Sequence, residues 1–132
     1  MMSAPLRIEQ RPSAAVLILQ LHGRLVAEDG ADLFKERVTA ALDRGSTDLL
    51  IDLSRVDYID SGGVGALVAM FTRTGRRGGR LKLLCPSTRV CHVLEITGLM
   101  RVFDVFEDEQ AALQAFAAPA ARSTRAGRRL AG

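Results

Sequence analysis

The sequence predicts an α/β fold in which a mixed β-sheet packs against crossover helices, in the order β-β-α-β-α-β-α-β-α. Three observations carry this expectation. Two short segments near the N-terminus, both rich in strand-forming residues, are separated by a turn, so the sheet begins as an antiparallel hairpin. From about residue 29 onward, segments of helical period alternate with short apolar runs, the pattern of parallel strands joined by helices. The chain has 132 residues, 48% of them hydrophobic, which is enough to bury one core and too little for a second domain.

Leu6 to Gln10 alternates apolar and polar residues and reads as a half-buried strand, with a turn expected at Arg11, Pro12 and Ser13. Val16 to His22 is the second strand, ending at Gly23. From about Asp29 to Arg44 the period is helical: Phe34, Val38, Ala41 and Leu42 share one face, and Gly45 is a natural stop. Glu28, Asp29 and Asp32 sit near its start, where the helix dipole favours acids. Asp48 to Leu53 is apolar enough for a central strand, and Ser54 to Asp60 reads as a connector into a helix from about Gly62 to Thr74. Apolar residues lie on nearly every side of that helix, which predicts deep burial. Arg80 to Leu84 is a fourth strand, and Ser87 or Thr88 caps a third helix that ends at Gly98. Val102 to Val105 is a short last strand, and Glu107 to about Phe116 is the final helix.

The formal net charge is +3 and the pI is near 9.4, which suggests a basic protein. The excess lies at one end: from Ala117 onward there are four arginines (Arg122, Arg125, Arg128, Arg129) and no acid, so residues 1–116 hold 14 bases against 15 acids. The chain therefore divides into a domain, 1–116, and a flexible Arg-rich tail, 117–132, that sets the pI. A near-neutral domain argues against direct nucleic-acid binding, which draws its affinity from cationic groups on phosphates. No Trp, one Tyr and five Phe argue against base-stacking platforms. Two cysteines make no disulfide scaffold, the N-terminus lacks the organisation of a secretory signal, and the apolar run Ala14 to Leu19 is far short of the ~20 residues of a membrane span. The expectation is a cytoplasmic protein with no membrane insertion.

Most information lies in Val56-Asp57-Tyr58-Ile59-Asp60-Ser61-Gly62-Gly63-Val64-Gly65. Each glycine inside a helix costs about 1 kcal/mol relative to Ala, so three in one turn imply close approach to another surface, either a partner or the neighbouring strand. Ser61 reads as an N-cap or as a modifiable hydroxyl, and Asp60 as a dipole-compensating turn residue or a partner contact. Enzyme readings fail on spacing. From Gly63 a dinucleotide fingerprint meets Val68 where its third glycine belongs; a nucleophile elbow at Ser61 meets Ile59 where its first glycine belongs; no Gly-Lys-Ser or Gly-Lys-Thr follows for a phosphate loop. Cys85 starts no Cys-x₅-Arg loop, because the sixth residue beyond it is Cys91. Cys85, Cys91 and His92 lack a fourth metal ligand and read as buried cysteines beside a histidine, so no catalytic group, metal or cofactor is assigned. Arg73, Arg76, Arg77, Arg80 and Lys82 form a dense basic stretch at a helix C-terminus, where cations complement the dipole.

Asp60-Ser61-Gly62-Gly63-Val64-Gly65, following Ile51-Asp52-Leu53-Ser54, resembles the Asp-Ser-Ser-Gly-Leu-Gly signature of STAS domains, the group that contains bacterial anti-sigma factor antagonists. The resemblance spans about residues 6 to 116 and includes Leu21-His22-Gly23-Arg24-Leu25 and Gly98-Leu99. It implies a STAS-like mixed sheet and a non-enzymatic binding module. Such a module sequesters an anti-sigma factor that is also a serine kinase, freeing a sigma factor. Phosphorylation at the motif ends the binding and a serine phosphatase resets it. The implied partner surface is Glu28, Asp29, Asp60, Ser61, Gly62, Gly63 and Val64.

Two departures stand out. Gly62 occupies the usual acceptor position, so phosphorylation either shifts to Ser61 or is lost, and a serine at position 62 is expected to restore an acceptor. Val26 stands where many members carry an acid, with Glu28 and Asp29 supplying charge nearby. An alternative role for the same surface is an accessory subunit of a membrane transporter, docking on its ATPase.

Overall fold

The computed structural model describes residues 5–85 and 88–117. A five-stranded sheet has the order β1-β2-β3-β4-β5, formed by Arg7–Ser13, Val16–Leu25, Asp48–Ile59, Arg80–Leu84 and Val105–Phe106. β1 and β2 are antiparallel, and every later neighbour is parallel. Helices α1 (Ala31–Asp43), α2 (Ser61–Arg76) and α3 (Thr88–Ile96) follow β2, β3 and β4, a single 3-10 turn at Leu99–Arg101 leads to β5, and α4 (Glu109–Ala117) closes the described chain. The element order is the expected one, and several boundaries differ.

β1 runs through Arg11, Pro12 and Ser13, the residues expected to turn. The hairpin turns instead at Ala14 and Ala15, with Ala14 at φ 54°. Pro12 lacks an N–H, a defect that an edge strand tolerates because one side of it has no partner. β3 continues through the expected connector to Ile59, paired with His22 to Leu25 of β2. Two register shifts interrupt that pairing, and they space the buried residues Leu53, Val56 and Ile59 three apart instead of two. The last strand begins at Val105, leaving Val102 exposed, and Asp108 caps α4 by accepting from the Ala111 N–H at 3.1 Å. Ser87, one of the two expected caps of α3, lies outside the described residues, as does all but the first residue of the expected tail.

Strand alternation sends side chains to two faces. On one, Leu19, Leu21, Leu49, Ile51, Leu53, Leu81 and Leu83 pack against Phe34 and Val38 of α1, Leu67 and Met70 of α2, and Val90 and Leu94 of α3. On the other, Val16, Ile18, Leu50 and Leu84 pack against Ala112 and Phe116 of α4. Arg80 and Lys82 hold that second layer, their cationic groups 5.5 and 5.2 Å from the Phe116 ring centroid. Lys82 also pairs with Asp104 at 2.7 Å, and Arg80 with Asp48 at 3.0 Å.

The deep burial expected of α2 is one-sided. Gly63, Ala66, Leu67, Met70 and Thr74 are buried, Val64, Val68 and Phe71 are half-buried, and Gly65, Ala69, Thr72, Arg73 and Arg76 are exposed. Alanine and glycine on the outer side supply little apolar area, so no covering layer is needed. Among the described residues no helix is long and apolar enough to cross a membrane.

This one-sidedness makes a prediction. Leu67→Ala leaves a cavity between α2 and the sheet and lowers stability by about 2–5 kcal/mol, read from urea denaturation. Ala69→Ser, two residues along on the open side, shifts it by about 0.5 kcal/mol at most beyond the small helix-propensity cost.

Candidate functional site

Two segments meet beyond the ends of β2 and β3. The first is the turn after β2: the Val26 N–H donates to the Asp29 carbonyl at 3.1 Å, the Asp29 N–H returns to the Val26 carbonyl at 3.2 Å, and the Ala31 N–H donates to that same oxygen at 3.1 Å. Gly30 closes it at φ 106°, where an added Cβ would lie 2.7 Å from the Arg24 carbonyl oxygen. Arg24 reaches the Asp29 carboxylate at 3.3 Å. Glu28 is exposed at the tip, and Asp29 is half-buried.

The second segment is the start of α2, where Asp60 is the N-cap, at φ −114° and ψ −175°. Ser61, the expected cap, is instead the first helical residue and is exposed. Asp60 Oδ1 accepts from the Gly63 N–H at 2.9 Å, filling one of the donors that a helix start leaves free. The same carboxylate accepts from the Ala27 N–H at 3.1 and 3.3 Å through its two oxygens. One side chain thus ties the helix to the turn.

Glycine makes that approach sterically feasible. A Cβ at Gly62 would overlap the Cβ of Ala27 and lie 2.6 Å from its Cα and 2.9 Å from its N. At Gly63 it would overlap the Leu25 carbonyl oxygen and lie 2.9 Å from Ile59 Cγ1. Gly65 faces open space, so two of the three glycines serve contact with this chain's own turn and strand, and the third does not. A side chain at position 62, serine included, would require Ala27 to shift. Val64 is half-buried against the main core.

The structure brings together Glu28 and Asp29 on the turn with Asp60, Ser61, Gly62 and Gly63 at the helix start, while Val64 turns partly inward. Sequence reasoning missed Ala27 and the Leu25 carbonyl, which the glycines accommodate, because a lone small residue in a turn carries no signal of its own. On the outward side Glu28, Asp57 and Ser61 are exposed, Gly62 is half-buried and Gly63 is buried. It contains no nucleophile paired with a base. Cys85 is buried, and desolvation pushes its thiol far up from the ordinary range; desolvation also raises the half-buried Cys91, whose thiol donates to the Cys85 carbonyl. Among the described residues no group of three or more His, Cys, Asp or Glu side chains is placed to hold a metal ion.

Residues 6–112 match the STAS domain family. An anti-sigma-B factor antagonist of Bacillus subtilis is 33% identical over 84 residues, covering 64% of this chain and 76% of that protein. A crystal structure of an anti-sigma factor antagonist from Mycobacterium paratuberculosis superposes with a TM-score of 0.74 at 24% identity, over 86% of this chain and 97% of the other. The Bacillus cell fate determinant SpoIIAA, solved in its phosphorylated form, superposes with a TM-score of 0.62 at 22% identity, over 83% and 98% of the two chains. At these identities the two structural likenesses speak to the fold.

The double role of Asp60 is directly measurable. Asp60→Ala is expected to lower stability by about 0.5–2 kcal/mol, as for other lost caps, and to speed hydrogen exchange at the Ala27 and Gly63 amides together. Faster exchange at Gly63 with Ala27 unchanged would mean that the carboxylate caps the helix without holding the turn.

Proposed function

Because this chain belongs to the STAS domain family, we propose that it is a non-enzymatic anti-sigma factor antagonist: it sequesters an anti-sigma factor of the serine-kinase type and so frees a sigma factor for transcription. The observation that carries this reading is the pair of segments docked through Asp60, which presents Glu28 and Ser61 at an exposed end of the sheet. Gly62 and Gly63 let the helix start dock on the turn after β2, which sets Glu28 and Ser61 side by side on the exposed end where a partner would meet them. Glu28 and Asp57 are the exposed acids there, and they suit a partner that presents cationic groups.

The phosphorylation switch is altered in this protein. The position that carries the usual acceptor is Gly62, and Ala27 fills the space such a side chain would need. Ser61, the remaining hydroxyl of the motif, lies exposed beside Asp60. A phosphate there would add about −1.5 to −2 charge to an already acidic surface, repelled by Asp60 and Glu28. The reading we adopt is a protein held in the unmodified, binding-competent form, working where such regulators work, in the cytoplasm, with any phosphatase having little to reset.

Two measurements test this. Pull-down with the purified protein is expected to recover a kinase-type anti-sigma factor, and Gly63→Arg, with its side chain forced against the Leu25 carbonyl, is expected to lose it. Recovery of no such protein, or equal recovery by both forms, argues against the antagonist role. Incubation with that kinase and ATP is expected to leave the chain largely unphosphorylated; stoichiometric phosphate on Ser61 would show that the switch has moved by one residue.

A further inference from the structure

Cys85 and Cys91 are the two cysteines of the chain, and the fold brings them into contact from different elements. Cys85 directly follows β4, and its N–H donates to the Phe106 carbonyl of β5 at 2.8 Å. Cys91 stands in the first turn of α3. Its thiol donates to the Cys85 carbonyl, and the two sulfurs lie within hydrogen-bonding reach of each other. Neither is in a disulfide. Cys85 is buried in the main core and Cys91 is half-buried against it. A cysteine so placed is ordinarily inert and serves as a small apolar residue. Packing of that kind accounts for each thiol singly, but it does not require the helix to aim one back at the other. Among the described residues no group of three or more His, Cys, Asp or Glu forms around the pair to hold a metal ion.

We propose that Cys85 and Cys91 are a modification site, a thiol pair that a peroxide closes to an intramolecular disulfide. Cys91, the more open of the two, reacts first. Its sulfur gives up its proton and attacks one oxygen of hydrogen peroxide, the O–O bond breaks, and the departing hydroxide takes up a proton as water, leaving Cys91 as a sulfenic acid. The Cys85 sulfur then attacks the Cys91 sulfur, the S–O bond breaks, and the hydroxyl leaves with the Cys85 proton as a second water. Two thiols are oxidised, and one peroxide is reduced to two waters. Burial pushes both thiols up from the ordinary range, so few are thiolates at neutral pH and the pair stays reduced until peroxide is sustained. The same effect makes each sulfur a poor leaving group, so the disulfide resists exchange once it has formed. The bond ties α3, whose Val90 and Leu94 pack in the main core, to the end of β4.

The test uses the full chain, reduced, freed of reductant and then treated with millimolar hydrogen peroxide. Trypsin cuts after Lys82, Arg89 and Arg101, which puts the two cysteines on separate peptides, 83–89 and 90–101. Mass spectrometry is expected to find those peptides joined after oxidation and separate again after dithiothreitol, with the intact chain lighter by two hydrogens and still running as a single chain on a non-reducing gel. Cys91→Ser, a near-isosteric change at a half-buried position, is expected to abolish the joined product while circular dichroism stays unchanged. The oxidised wild type is expected to unfold at a higher urea concentration than the reduced form, because the cross-link constrains the unfolded chain. Sulfinic acid on Cys91 with Cys85 still a thiol overturns the proposal, as does a disulfide between two chains. So does a lower urea midpoint for the oxidised form, which would show that the native placement of the two thiols does not fit the bond.

Discussion

The Asp60 carboxylate is the constraint around which one end of the sheet is organised. It accepts from Gly63 within the helix and from Ala27 across the turn, so the geometry of each segment depends on the other. Two charge-assisted bonds to backbone N–H groups are stronger than neutral ones and leave the carboxylate little freedom. The approach they require has the consequence seen at Gly62 and Gly63, where a Cβ would collide with Ala27 and the Leu25 carbonyl. The glycines that weaken α2 as a helix are thus a condition for fastening its start to the neighbouring strand.

Segments fastened to each other in this way have less freedom to lose when another molecule meets them. A side chain at position 62 needs the space now held by Ala27, and Ala27 is in turn held by Asp60. The lack of a side chain at position 62 and the docking of the turn are two aspects of one packing arrangement. A single substitution to serine alters the sequence motif without reopening that space.

Much of the fold was legible because it rests on local periodicity. Phe34, Val38, Ala41 and Leu42 reveal α1, and the run Leu49 to Leu53 reveals the centre of β3, wherever the rest of the chain goes. The second half of β3 was not legible. Its buried residues recur every third position because two register shifts interrupt the pairing with β2, and a bulge exists only between two strands. Asp60 and Ser61 are both good helix caps by type, so their letters could not decide between them. The choice went to Asp60, whose extended backbone and reach to Ala27 satisfy an additional donor.

The sequence by itself determined the element order, the STAS signature, the confinement of the motif to one helix start, and the concentration of positive charge beyond Ala117. These are properties of residue type and spacing along the chain. Only the tertiary structure decided which glycines face this protein's own backbone, which residue caps α2, and how the remaining charges are distributed. Net charge counts groups without regard to position, whereas a partner meets a potential that falls off over about 10 Å. Parallel strands joined by crossover helices bring Arg24 to Asp29 at one end of the sheet and Arg77 to Asp43 at the other, and no sum along the sequence preserves those placements.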